Sequence, residues 1–285
     1  RMISCSENEI IDPDIPPHLS GCGEKDKDCF KAYRMEFEKE IKPLHDNFMD
    51  FLETQGCKRM PFPEFVLPSP YLNLLLYHKP LRFTRRNPLD PEKFVYLDGC
   101  VRQESEGYDV PSFRANNDKP LLYFSFGSLG VSDVGLIKRI IGVLATAPYR
   151  VLVNVGDYIA EYDTPPDNVI INSWYSQTAV LPHVDAFIQH GGNNSFNESL
   201  YFGIPPIIMP FVWDGHDNAR RVNDTNHGIG MQRYEWRDEE LLGNIERVLT
   251  DQKMRSTVKE TSEYMQAQDG RMRAANAIDQ LLANL

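Results

Sequence analysis

Apolar positions fall along this chain in two textures. Over residues 28–54 they recur at Phe30, Tyr33, Phe37, Ile41, Leu44, Phe48 and Phe51. Steps of three and four predict an amphipathic helix, with Pro43 a candidate kink. Residues 1–23, rich in Pro, Ser and Gly, read as loop. Prolines cluster between 61 and 70, short apolar stretches follow at 71–77 and 94–97, and sparse anchors from 102 to 119 suggest a linker. After Pro120 the pattern becomes regular. Continuous apolar runs at 121–126, 151–155, 169–171, 186–188 and 206–209 have the character of strands buried on both faces. Helical patterns lie between several of them, at 134–147, 194–202 and 217–227, and the end of the chain also reads as helical. Strands alternating with helices predict an α/β fold with a doubly wound parallel sheet, whose ligands bind beyond the carboxyl ends of the strands.

Composition narrows the function. A formal net charge of -11 supplies no basic face for nucleic acid or an anionic membrane. No apolar run approaches the roughly 18 residues of a membrane span. All five cysteines (Cys5, Cys22, Cys29, Cys57, Cys100) lie in the first hundred residues. An odd number without tight spacing suggests reduced thiols, and CxxC metal spacing is absent. Asp12-Pro-Asp14 sits in a proline-rich loop with no strand before it, so no metal is expected there. Arg1 in place of Met suggests a chain that starts partway through a longer protein.

The candidate chemistry is concentrated between Trp174 and Asn218. The strand at 186–188 leads to His190, Gly191 and Gly192, and a helix is expected to begin near Asn194 or Ser195. Unpaired N–H groups at that start, reinforced by the peptide dipole, form an anion site. No Lys or Arg is expected nearby, so the anion would be held by backbone dipoles and neutral donors. Glu198, one turn on, is suited to hydroxyl groups. Trp174 offers a flat face to a base, and Asp214 and Asp217 follow the next strand as acceptors for sugar hydroxyls. His183 reads as packing or capping.

This block resembles the signature of UDP-dependent glycosyltransferases with the two-domain GT-B fold, macrolide-modifying and arthropod members included. The resemblance implies a Rossmann-like donor domain over 120–285, a linker over 103–119, and the second half of an acceptor domain over 1–102. It also implies that Trp174 stacks on uracil, with Ser176 and Gln177 at its edge. His190, Asn194 and Ser195 would contact the diphosphate, with Gly192 giving backbone access and Ser128, in the turn Ser125-Phe126-Gly127-Ser128, forming the other phosphate loop. Glu198 would hold the ribose and Asp214 the donor sugar.

The implied activity is inverting, metal-independent transfer of a hexose from a UDP-sugar to a small lipophilic acceptor, with UDP-sugar as co-substrate and no cofactor. The same fold also serves UDP-sugar epimerases, and a donor-binding half that needs a partner for activity is a further alternative. Two departures from the family pattern stand out. Gly215 occupies a position where many relatives carry Gln, which leaves the sugar open. The family's catalytic histidine and its aspartate belong to a stretch expected upstream of Arg1, so no catalytic base is expected here. Asn193, Asn197 and Asn223 begin glycosylation sequons, two of them inside the proposed phosphate helix. Together with the thiols, this suggests the cytoplasm.

Overall fold

A computed structural model describes residues 2–3, 7–104 and 107–284. Arg1 and Cys5 lie outside the described residues. The N-terminal part contains β1 (Met2–Ile3), α1 (Lys27–Thr54), β2 (Asn73–Leu75) and β3 (Phe94–Tyr96), and its strands pair in parallel in that order. Then follow β4 (Leu121–Ser125), α2 (Gly127–Gly130), α3 (Val134–Ala145), β5 (Arg150–Asn154), β6 (Val169–Asn172), α4 (Gln177–Val180), β7 (Ala186–Gln189) and α5 (Asn193–Tyr201). The chain continues through β8 (Pro206–Ile208), α6 (Gly215–Thr225), β9 (Ile229–Gly230), α7 (Asp238–Thr250), α8 (Gln252–Gln266) and α9 (Gly270–Ala283). The second sheet is parallel throughout, with strand order β6-β5-β4-β7-β8-β9.

The lack of polar alternation in the strands has a direct cause. Leu122 and Phe124 of β4 pack with Ile137, Ile140 and Leu144 of α3, and with Leu241 and Ile245 of α7. Their neighbours Leu121 and Tyr123 point the other way, into a cluster with Tyr175, Val180 and Leu181. Successive side chains alternate faces, and both faces are covered, so the middle of each of these strands is apolar, with polar residues such as Ser125, Asn154 and Gln189 at the carboxyl ends. Helix α9 crosses back to the small sheet, where Ala274, Ala277 and Leu281 pack against Leu72, Leu74 and Leu97.

Three expectations change. Cys22 and Cys29 form a disulfide, because the first turn of α1 returns Cys29 to within a Cα–Cα distance of 5.8 Å of Cys22. The expectation of reduced thiols is therefore wrong for this pair, and the cytoplasmic inference loses that support. Free thiols among the described residues are Cys57 and Cys100. Helix α1 runs unbroken past Pro43, which is exposed to solvent, and its deepest side chains are Phe30, His45 and Met49 rather than the whole expected stripe. β9, two residues long, gave no apolar run to detect. Among the described residues no helix is long and apolar enough to cross a membrane.

Candidate functional site

Strand order reverses between β4 and β7, which places the crevice of this sheet at their carboxyl ends. Two sequence-predicted loops meet there. Gly127 follows β4 with φ +68, and a β-carbon on it would lie 2.5 Å from Cε1 of His190. A β-carbon on Gly192 would overlap Nε2 of the same ring. The imidazole of His190 is thus seated between two glycines, and no side chain could replace either hydrogen without displacing it. Burial, helped by the Arg233 guanidinium, lowers the His190 pKa to about 4, so the ring is neutral near pH 7. Its Nδ1 is buried without a hydrogen-bond partner among the described residues. Ser128 is exposed in the first turn of α2.

Helix α5 starts one residue earlier than expected, at Asn193. The N–H groups of Asn194 and Ser195 lie in its first turn, where no intrahelical acceptor exists. The N–H of Asn193 is spent differently, donating to Oδ2 of Asp214 at 2.9 Å. Asp214, expected at the donor sugar, therefore caps α5 from across the crevice. Burial raises its carboxyl pKa, opposed by that backbone donor.

The residues expected at the base and the ribose are drawn together by hydrogen bonds. Gln177 Nε2 donates to Ser195 Oγ at 3.1 Å and to Glu198 Oε2 at 2.5 Å. Trp174 is 69% exposed beside them, a free flat face. Ser176 is half-buried at the start of α4. Burial raises the Glu198 carboxyl pKa, against the Gln177 hydrogen bond and the charge of Arg102. Asn194, Asn197 and Glu198 line a cavity of about 420 Å³ closed on the other side by Leu76, Val101 and Arg102.

Asp217 does not face a sugar. Its Oδ1 accepts from the Gly21 N–H at 2.8 Å, and its Oδ2 from the Leu19 N–H at 2.7 Å and the Asn8 amide at 3.1 Å. The carboxylate is used up in anchoring the N-terminal loop on α6. Gly215 also has a structural role. A β-carbon there would stand 2.6 Å from the His190 carbonyl oxygen, so the residue is small because α6 packs directly on the loop at His190.

Sequence reasoning missed the basic side chains. Arg233, 5% exposed, bonds Asp133 at 3.3 Å and stacks on Phe126 and Phe211, close to the loop that follows β4. The expectation of no Arg nearby is corrected, because the segment after β9 folds back under α2. His78 was also missed. It hydrogen-bonds Asn197 at 2.9 Å, and burial lowers its pKa to about 4. Asn193 and Asn197 are themselves buried, so neither sequon is open in the folded chain. His183 is exposed and tilts against Tyr108, a packing contact.

A parallel sheet with polar, glycine-built loops at its switch point defines a Rossmann-like unit of the GT-B type. The chain belongs to the UDP-glucoronosyl and UDP-glucosyl transferase family, which it matches over residues 80–269. It is 25% identical over 254 residues to the NDP-glycosyltransferase YjiC of Bacillus subtilis, covering 88% of this chain and 64% of that protein. The chain thus spans less than two thirds of that relative's length. Among solved structures, the glycotransferase of kitacinnamycin superposes with a TM-score of 0.73 at 20% identity, covering 88% of this chain and 67% of that one. Glycosyltransferase VinC, solved in complex with dTDP, superposes with a TM-score of 0.60 at 16% identity, covering 83% of this chain and 58% of that one.

Proposed function

We propose that this chain holds a UDP-sugar and transfers its hexose, with inversion and without a metal, to a small lipophilic acceptor. The observation that carries the reading is the convergence on one crevice of the α5 N-terminus, the glycine-seated His190 and the exposed Trp174 with its Gln177–Glu198 pair. The diphosphate would lie on the N–H groups of Asn194 and Ser195, with His190 and Ser128 as neutral donors. That arrangement favours the leaving diphosphate as its charge develops. Trp174 would stack on the uracil, with Ser176 and Gln177 at its edge, and Glu198 would accept from ribose hydroxyls. Asp214, already bonded to Asn193, retains a second oxygen for the sugar.

Calorimetric titration with UDP and with dTDP tests the site directly. Base stacking on an aromatic side chain is worth about 1–3 kcal/mol, so Trp174→Ala should weaken UDP roughly 5- to 150-fold. Equal affinity in the two proteins would remove Trp174 from the site. With a labelled UDP-hexose, label on the acceptor supports transfer, whereas label remaining on UDP as a different hexose supports epimerisation.

A further inference from the structure

We infer that Asn218 is a positioning residue for the diphosphate: it holds the carbonyl of Gly191 against α6 and so frees the N–H of Gly192 as a donor to the ligand. This inference rests on the donor reading above, and adds to it the group that sets the loop at 190–193.

The start of α6 grips that loop at successive residues. Asp214 accepts the Asn193 N–H at 2.9 Å, and Gly215 lies so close to the His190 carbonyl that no β-carbon would fit. Between these two contacts, Nδ2 of Asn218 donates to the Gly191 carbonyl at 2.8 Å. Asn218 is 1% exposed. Only the NH2 half of an amide can meet a carbonyl, which fixes the orientation of this side chain. Its Oδ1 is buried with no hydrogen-bond partner among the described residues. An amide kept at that cost is kept for its donor.

What this donor holds is a peptide plane with no other tie. The carbonyl of Gly192 accepts from the Phe196 N–H at 3.0 Å, so the plane after Gly192 belongs to α5. The plane before it lies between two glycines. Turning it over changes ψ of Gly191 and carries φ of Gly192 from -60 to about +120, a region open to glycine and closed to other residues. The bond is trans, so its C=O and N–H point in opposite directions. With the carbonyl on Asn218, the N–H of Gly192 points away from α6 and meets no acceptor among the described residues. It adds a donor just ahead of the N–H groups of Asn194 and Ser195. Turned over, the same plane would offer the diphosphate a carbonyl oxygen and hide the donor. Two glycines let the backbone approach an anion but leave open which end it presents. Asn218 removes that choice.

The test titrates the parent and Asn218→Leu with UDP and with uridine, which has the base and ribose but no phosphate. Leucine keeps the size and branching of asparagine and loses the donor. With the plane free to turn, a hydrogen bond to a charged group is lost, so UDP should weaken at least about tenfold while uridine stays within about twofold of the parent. Equal losses for the two ligands overturn the inference, because Asn218 would then support the whole site and not the diphosphate. Unchanged UDP affinity overturns it as well. The parent supplies a second measurement that needs no variant. By NMR, the Gly192 amide proton should move downfield on saturation with UDP and stay in place with uridine. A Gly192 amide that ignores UDP while those of Asn194 and Ser195 respond overturns the inference. Absence of UDP binding to the parent would instead sink the donor reading, and the role of Asn218 with it.

Discussion

Helices α5 and α6 begin at the same end of the sheet, after neighbouring strands, yet their first turns are built for opposite purposes. The first turn of α5 contains no acidic residue and presents Asn193, Asn194 and Ser195. The first turn of α6 carries Asp217, with Asp214 just before it. Every helix start has surplus N–H groups and a positive end. At α6 the carboxylates beside that positive end are committed within the protein, Asp217 to the N-terminal loop and Asp214 to the first N–H of α5. At α5 the N–H groups of Asn194 and Ser195 lie in a first turn without carboxylates, and on the proposed reading they hold the diphosphate. A helix start becomes an anion site only where its own sequence keeps carboxylates away.

The strongest way to break this comparison is at His190, on the α5 side. Removing one preorganised donor raises a barrier by about 2.7–4 kcal/mol, so His190→Ala should lower kcat/KM of the proposed transfer at least about a hundredfold. The melting temperature should change little by comparison. Near-normal turnover would mean that α5 does not serve the diphosphate.

The matching substitution on the α6 side should affect stability and not UDP. Asp217→Ala leaves the Leu19 and Gly21 N–H groups and the Asn8 amide without their acceptor. Leaving buried donors unsatisfied costs about 1–3 kcal/mol each, so a loss of about 3 kcal/mol is expected by chemical denaturation. Proteolysis should then open the chain first within residues 8–23. A tenfold change in UDP affinity would show instead that Asp217 belongs to the donor site.

Gly215 sharpens the comparison because the two helix starts touch through it. Gly215→Gln drives a β-carbon against the His190 carbonyl, 2.6 Å away. Overpacking of this kind costs about 1–3 kcal/mol, and thermal denaturation should show it. Tighter binding of a UDP-hexose with no loss of stability would mean the two loops have room to separate.

Much of this arrangement was legible in the chain because its signals are local. The strands beside the crevice are unbroken apolar runs, and His190, Asn194, Ser195 and Glu198 fall within a single loop and helix. What escaped depends on distant partners. Asp217 looks like a cap or a sugar ligand until Leu19 and Gly21, almost two hundred positions away, are brought onto it. Arg233 follows a two-residue strand that leaves no periodicity. The Cys22–Cys29 pair is separated by a loop whose closure is decided by the first turn of α1.

Glu198 offers the smallest and most discriminating change, because it is the one carboxylate that α5 does carry, a turn beyond its start. Burial raises its folded pKa above the unfolded value. Between those two values the folded chain keeps a proton that the unfolded chain has lost, so stability falls as pH rises through the window and stays lower above it. Gln cannot ionise. Glu198→Gln should therefore melt at least as high as the parent at pH 7.5, by at most a few degrees, and the difference should close as pH is lowered towards 4. The same change should weaken UDP about fivefold, since a charged acceptor exceeds a neutral one by about 1 kcal/mol. Greater stability together with weaker binding would show a carboxylate retained for its ligand at a cost to the fold. Lower stability at pH 7.5 would assign Glu198 instead to holding Gln177 and Ser195 in place.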